Sequence, residues 1–262
     1  MEASKKVLFI RDWILNYTKS MQKKAQSLVI GTSGGIDSSV TSTLCAMTGL
    51  KTIVVSMPIN QIASQHDLSL KHKKWLKDKF NNVESHTVKL DELFKSFQNM
   101  LSGFNSEHGL ANSRARIRMT ALYQVAAANN GIVVGTGNKI EDFGVGFFTK
   151  YGDGGVDISP IADLTKSEVY VLAKKNNIID EIIEAQPTDG LWDDGRTDES
   201  QLGASYKELE WAMDWYENNS ESISTKNLNK EQLSVLDIYL SHRKINKHKM
   251  QEIPVFKKNK QN

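Results

Sequence analysis

A single cysteine, Cys45, stands among 262 residues, so no internal disulfide can form. It falls in an apolar helical stretch, where a small buried thiol fits better than a nucleophile. Apolar runs of membrane-spanning length are missing. The N-terminal residues Val7, Leu8, Ile10, Trp13, Ile14 and Tyr17 recur at helical spacing, but Arg11 and Asp12 interrupt them and no small-residue cleavage site follows. That pattern reads as an amphipathic surface helix rather than a leader. An excess of one charge is also missing: 33 basic residues against 31 acidic leave a net +2, which offers nucleic acid no broad basic footprint. The local exception runs from His242 to Lys260, where seven lysines and arginines face one acid, Glu252. By charge alone this is a solvated basic tail. Together these absences suggest a cytoplasmic globular protein with neither a membrane nor a nucleic-acid partner.

What is present is an alternation of helical and strand patterns. Helices are expected over 5–23, 38–47, 61–79, 91–100 and 112–128, with 102–109 as a loop. Short apolar strands are expected at 28–30, 52–57, 84–88 and 132–134. This rhythm predicts an α/β fold, a doubly wound parallel sheet with helices on both faces. Residues 135–160 are rich in Gly, Asp and Lys and lack periodicity, and a loop that long inside a compact domain is usually functional. Helices return at 166–176 and 180–184. A second irregular stretch covers 186–205, and helices at 206–216 and 229–244 close the chain. The expectation is one domain over residues 1–262 with a helical C-terminal extension.

The strongest local signal is Gly31-Thr32-Ser33-Gly34-Gly35-Ile36-Asp37-Ser38-Ser39, between the first strand and the next helix. Open α/β sheets bind ligands at the carboxyl ends of their strands. Gly34 and Gly35 let the backbone curl so that its N–H groups converge on an anion, and the helix adds the positive end of its dipole. Ser33, Ser38 and Ser39 supply hydroxyls. No lysine follows the glycines, so this is not the loop of the common NTPases. Asp37 would repel a bare phosphate, but it suits a Mg²⁺ ion lying between carboxylate and phosphate oxygens. Lys166 falls in the first turn of a helix, where the dipole disfavours a cation, and this misfit suggests that it faces a phosphate.

Ser-Gly-Gly-Ile-Asp-Ser after a first strand resembles the pyrophosphate loop of the ATP-pyrophosphatase superfamily, whose fold is adenine nucleotide α-hydrolase-like. Its members split ATP between the α- and β-phosphates and pass AMP to a substrate oxygen. The second half narrows the resemblance. Gly135-Thr136, Glu141 and the run from Gly146-Phe147-Phe148-Thr149-Lys150-Tyr151-Gly152-Asp153-Gly154 to Pro160 resemble the ammonia-dependent NAD synthetase family. So do Asn112-Ser113-Arg114-Ala115-Arg116, Leu164-Thr165-Lys166, Pro187-Thr188, Thr197-Asp198-Glu199 with Leu202-Gly203, and His248-Lys249. The matches follow the family's order over nearly the whole chain.

The resemblance implies a ligase that adenylates the carboxylate of deamido-NAD and then aminates it with ammonia. It implies ATP as co-substrate, held by Gly31, Thr32, Ser33, Gly34, Gly35, Ile36, Asp37, Ser38, Thr136, Lys166 and Thr188. Asp37 and Lys166 would be catalytic, and Asp37 and Glu141 would hold Mg²⁺. Arg116, Lys150, Asp157, His248 and Lys249 would bind deamido-NAD, in a homodimer with that site at the subunit interface. The terminal basic pair thereby becomes an anion contact. Glu141 to Gly146 is one residue longer than the family's spacing, which leaves Asp142 as an alternative to Glu141; the spacing from Thr136 favours Glu141. Asp142, Asp189 and Asp193 otherwise read as loop acids. Family members that use glutamine carry a separate amidase domain with a nucleophilic cysteine, so this chain is expected to take free ammonia, with a separate amidase subunit left open. RNA-acting relatives need catalytic cysteines or an RNA-binding domain. A non-catalytic nucleotide-binding module would not need the run from Lys150 to Asp157.

Overall fold

The molecule is represented by a computed structural model, which describes residues 2–60, 63–192, 194–219, 225 and 227–258, without the side chains of 63–66. The expected helix start at Gln61, the loop acid Asp193 and Lys260 at the end of the basic tail lie outside the described residues.

The order of elements is α1 (Ala3–Ser20), β1 (Ser27–Gly31), α2 (Ile36–Ala46), β2 (Lys51–Ser56), α3 (Ala63–Lys79), β3 (Val83–Thr87), α4 (Asp91–Met100), α5 (Glu107–Ala128) and β4 (Gly131–Val133). Then follow a π-helical turn (Ile140–Val145), α6 (Lys166–Lys175), α7 (Asp180–Ile183), α8 (Asp198–Leu202), α9 (Tyr206–Asn219) and α10 (Lys230–Asn246). The four strands form one parallel sheet in the order β3-β2-β1-β4, with Ser27 opposite both Lys51 and Gly131.

Side chains alternate across each strand, so the apolar strands divide between two cores. Leu28 and Ile30 of β1 pack with Val7 and Ile14 of α1, Val40 and Leu44 of α2, and Val169 and Leu172 of α6. Val29 points the other way and packs with Ile53, Val55 and Val133 against Phe94 of α4 and Ala126 of α5. Both faces are therefore covered, as the βα rhythm predicts. β2 and β3 continue the sheet on one side of β1, and β4 lies on the other. The order reverses between β1 and β4, so a crevice opens at their carboxyl ends.

Three segments are more ordered than their sequence suggests. The expected loop at 102–109 is a 3₁₀ turn (Ser102–Phe104) followed at once by α5, whose N-cap Ser106 accepts from Gly109 N. Gly109 and the polar residues around it hide that start from a periodicity reading. The stretch 135–160 contains the π turn, and 186–205 contains α8, N-capped by Thr197. The C-terminal helices have their own core, in which Leu209 and Met213 of α9 and Leu236 and Tyr239 of α10 close on Ile140 and Val145 of the π turn. The extension is thus built around the irregular segment, which itself lines the crevice.

Cys45 is fully buried in α2, and burial pushes its thiol up from the ordinary value. A neutral, enclosed thiol is a poor nucleophile. Ellman's reagent is expected to modify Cys45 only on unfolding, with denaturant dependence matching loss of the far-UV CD signal. Stoichiometric reaction under native conditions at the rate of a free thiol would contradict this placement.

Candidate active site

The loop after β1 is shaped by one left-handed residue, Gly34, at φ +90°, a conformation that a side chain disfavours. Ser33 Oγ accepts from Gly35 N at 3.1 Å, and Ser38 Oγ donates to Gly35 O at 3.0 Å. α2 then starts at Ile36 with no side-chain cap, so its positive end opens toward the crevice.

At the foot of the crevice three segments converge on one ammonium. Lys166 is 2% exposed, and its Nζ donates to Asp37 Oδ2 at 2.5 Å and Glu141 Oε1 at 3.2 Å. A capping box places Lys166 at the first position of α6: Thr165 accepts from Glu168 N while Glu168 accepts from Thr165 N. Burial alone would lower the Lys166 ammonium, but the carboxylates of Asp37 and Glu141 outweigh it and hold it above its usual value. Burial pushes Asp37 up, opposed by Lys166. The anion expected near Lys166 is thus, in this structure, a pair of carboxylates. Tyr206 Oη donates to Glu141 Oε1 at 2.6 Å, lies 3.1 Å from Asp198 Oδ2, and its ring carries the Lys166 ammonium 4.5 Å from the centroid. Asn138 Nδ2 reaches Asp37 Oδ1 at 3.4 Å, and its Oδ1 accepts from Ile140 N and Glu141 N.

Two carboxylates against one ammonium leave a net negative charge lined by hard oxygens. That donor set fits Mg²⁺, which is commonly held by one or two carboxylates together with substrate phosphates. Among the described residues, no group of three or more His, Cys, Asp or Glu is placed to hold a metal by itself.

The extra residue between Glu141 and Gly146 is absorbed by the π turn, which takes one residue more than an α-helical turn. In this register Glu141 faces Asp37 and Lys166. Asp142 packs instead against Gly137, where an added Cβ would sit 2.2 Å from its Oδ1. Asp142 also lines the crevice, and burial with the nearby carboxylates Glu141 and Asp153 pushes it up to about 8. Asp189 also lines the crevice, accepts from Leu191 N and Gln201 Nε2, and is raised by burial.

The crevice has a volume of about 450 Å³ and is lined by all eleven residues expected to hold ATP, from the loop Gly31–Ser38 to Thr136, Lys166 and Thr188, and by Glu141. The five expected substrate residues lie elsewhere. Arg116 Nε donates to Lys150 O at 3.3 Å, and Lys150 Nζ donates to His248 O at 3.1 Å. Asp157 accepts from Tyr123 Oη at 3.1 Å and Val133 N at 2.7 Å. Arg116 and Tyr123 are seven residues apart on α5 and so share one helix face. Lys249 Nζ turns inward, donating to Gly146 O and Phe148 O, each at 2.9 Å.

Sequence reasoning missed Asn138, Asp198 and Tyr206 as partners of the central ion cluster. Thr197-Asp198-Glu199 stood out only as a motif. Nothing in the sequence says that α8 and α9 bring Asp198 and Tyr206 back to Glu141. Burial and the charge of Glu141 push Asp198 up to about 7.

A model of the NAD synthase family matches residues 6–253. The NH(3)-dependent NAD(+) synthetase of Mesoplasma florum is 39% identical over 205 residues, 76% of this chain and 81% of its own length. That of Methanosarcina acetivorans is 34% identical over 248 residues, 92% of this chain and 95% of its own. Among solved structures, NMN synthetase from Francisella tularensis aligns with TM-score 0.82 at 29% identity, covering 97% of this chain and 98% of that one. NH3-dependent NAD synthetase from Campylobacter jejuni, in complex with the nitrate ion, aligns with TM-score 0.78 at 28% identity, covering 98% and 100%.

The raised Asp142 carboxyl has a consequence for stability. A group whose folded value lies above its unfolded one favours folding only while it is protonated, so stability falls as pH rises from about 4 toward 8. Without nucleotide, Asp142→Asn is expected to be more stable than wild type by up to about 5 kcal/mol at pH 8, with the gap closing near pH 4. Urea titrations across that range check it; a gap independent of pH would mean that the carboxyl charge is not its source.

Proposed function

The chain belongs to the NAD synthase family, and we propose that it makes NAD from deamido-NAD, ATP and free ammonia as a single catalytic unit. The observation that carries this reading is the Asp37–Lys166–Glu141 cluster beside the uncapped N-terminus of α2, both lining one crevice. The relatives' printed name, NH(3)-dependent NAD(+) synthetase, supports ammonia as the nitrogen source.

In the first step a carboxylate oxygen of deamido-NAD attacks the α-phosphorus of ATP, the bond to the β-phosphate bridging oxygen breaks, and pyrophosphate leaves. In the second, ammonia attacks the acyl carbon, the carbon–oxygen bond to AMP breaks, and the nitrogen loses a proton. Most of the acceleration comes from positioning and from neutralising phosphate charge. The loop Gly31–Ser38 supplies N–H groups and the α2 dipole, Thr136 and Thr188 supply hydroxyls, and Lys166 supplies a fixed cation. Asp37 and Glu141 would hold Mg²⁺, which adds charge neutralisation at the phosphates.

Arg116, Lys150, Asp157, His248 and Lys249 form the proposed deamido-NAD set. Arg116, Asp157 and His248 are exposed on the outer side of α5 and on the turn after α10, so one copy encloses the dinucleotide poorly. A homodimer that covers this face completes the site. Among the described residues no helix is long and apolar enough to cross a membrane, and we place the enzyme in the cytoplasm. A second reading, amidation of the corresponding mononucleotide, is favoured by the likeness to the Francisella NMN synthetase.

Incubation with ATP, Mg²⁺, ammonium and deamido-NAD is expected to yield NAD, AMP and pyrophosphate in equal amounts, and the mononucleotide in parallel separates the two readings. Asp37→Asn is expected to lower turnover by roughly two orders of magnitude or more while the protein stays folded; near-normal turnover would remove Asp37 from the metal site. Arg116→Ala is expected to raise KM for the dinucleotide and spare ATP affinity, and a change in ATP affinity alone would move Arg116 out of the substrate set.

A further inference from the structure

The final carbonyls of a helical turn have no backbone partner within it. At the π turn, side chains from the end of the molecule take them. Arg243 Nη1 donates to Phe143 O and, at 3.0 Å, to Gly144 O. Asn246 Nδ2 donates to Val145 O at 2.9 Å. Lys249 Nζ takes Gly146 O and Phe148 O. The three donors stand three residues apart along α10 and the 3₁₀ turn (Lys247–Lys249) that extends it. Gly146, at φ +67°, makes room for them: a Cβ there would lie 2.5 Å from Cβ of Asn246.

This arrangement reaches the centre of the crevice through the helical register. Each residue added to or removed from a helical turn rotates the neighbouring side chains by about 100°. The π register turns Glu141 toward Lys166 while Asp142 packs on Gly137. Relaxation to an α-helical turn would release the extra residue and shift that pairing. A π turn is rare on its own merits and persists where its surroundings hold it.

We propose that Arg243 and Asn246 are positioning residues that cap the π turn and thereby hold Glu141 in register with Asp37 and Lys166. The proposal rests on the reading of Glu141 as a Mg²⁺ carboxylate only for its consequence in nucleotide binding. It accounts for part of the basic C-terminal segment, whose charges lie where a helical turn presents its negative end.

The test uses the full chain and reads ATP binding by calorimetry, with and without Mg²⁺, in wild type, Asn246→Leu, Arg243→Gln, Glu141→Gln and the double variant Asn246→Leu/Glu141→Gln. Thermal unfolding establishes that each variant is folded at the assay temperature, and Asn246→Ser replaces Asn246→Leu if the latter does not fold. Asn246→Leu is expected to cut the Mg²⁺-dependent gain in ATP affinity about five- to tenfold, the scale of one lost hydrogen bond. Its Mg²⁺-free ATP affinity should stay within about twofold of wild type, and it should add nothing in the Glu141→Gln background. Arg243→Gln should act in the same direction, and Arg243→Lys, which keeps a donor, should recover most of the gain. If Glu141→Gln abolishes the gain while Asn246→Leu and Arg243→Gln both keep it, the positioning role is overturned and the metal reading stands. Equal losses with and without Mg²⁺, or a loss that persists in the double variant, also overturn it, because the effect is then general destabilisation. If Glu141→Gln itself keeps the gain, the metal reading fails and the proposal fails with it.

Discussion

A buried ammonium shared by two carboxylates is the constraint on which the rest of the molecule depends. Lys166 gives up water for Asp37 and Glu141, and a charge so enclosed is tolerable only while its partners stay in place. The three residues come from three segments held by different means: the first turn of α2, the π turn and the capped start of α6. Ser167 N and Oγ at the head of α6 both bond Glu210 of α9, each at 2.7 Å, so a second helix fixes the start of the lysine-bearing one. The residual negative charge of the cluster invites a further cation, and the open N-terminus of α2 beside it invites an anion.

The sheet and the C-terminal helices contribute unequal kinds of order. The sheet supplies rigidity, with β1 buried on both faces and the switch between β1 and β4 opening the crevice where the phosphate loop emerges. The C-terminal helices supply register. They surround a segment that has no regular structure of its own beyond one π turn, and bring Tyr206 and Asp198 against Glu141 from behind. An extension that looks like an appendage in the order of elements therefore supplies a partner of the ion cluster, Tyr206.

The crevice and the outer basic cluster are separate but joined. Lys150 and Lys249 bond to opposite ends of the same connection: Lys150 to the carbonyl of His248, and Lys249 to carbonyls on either side of Phe147. α5 runs beside both regions, with Arg118 lining the crevice and Arg116 on the exposed side.

Alternation of apolar runs with stretches of helical length was enough to suggest a parallel sheet covered on both faces, because β1, β2 and β4 are short apolar segments. The loop Gly31–Ser38 was legible because its glycines and its position after a strand have a local physical meaning, and all eleven expected ATP residues do line one crevice. The choice between Glu141 and Asp142 was not decided by spacing alone. It turns on a π register held by side chains about a hundred residues away, and no local preference encodes that contact. For the same reason Lys166 suggested a phosphate from the sequence and found two carboxylates in the fold, while Asp198 stood out only within a motif and Tyr206 gave no signal. Sequence by itself determined the elements and the phosphate loop, whose causes are local. Tertiary structure decided which carboxylates meet the lysine, because distant segments must first pack before their charges can share one ammonium.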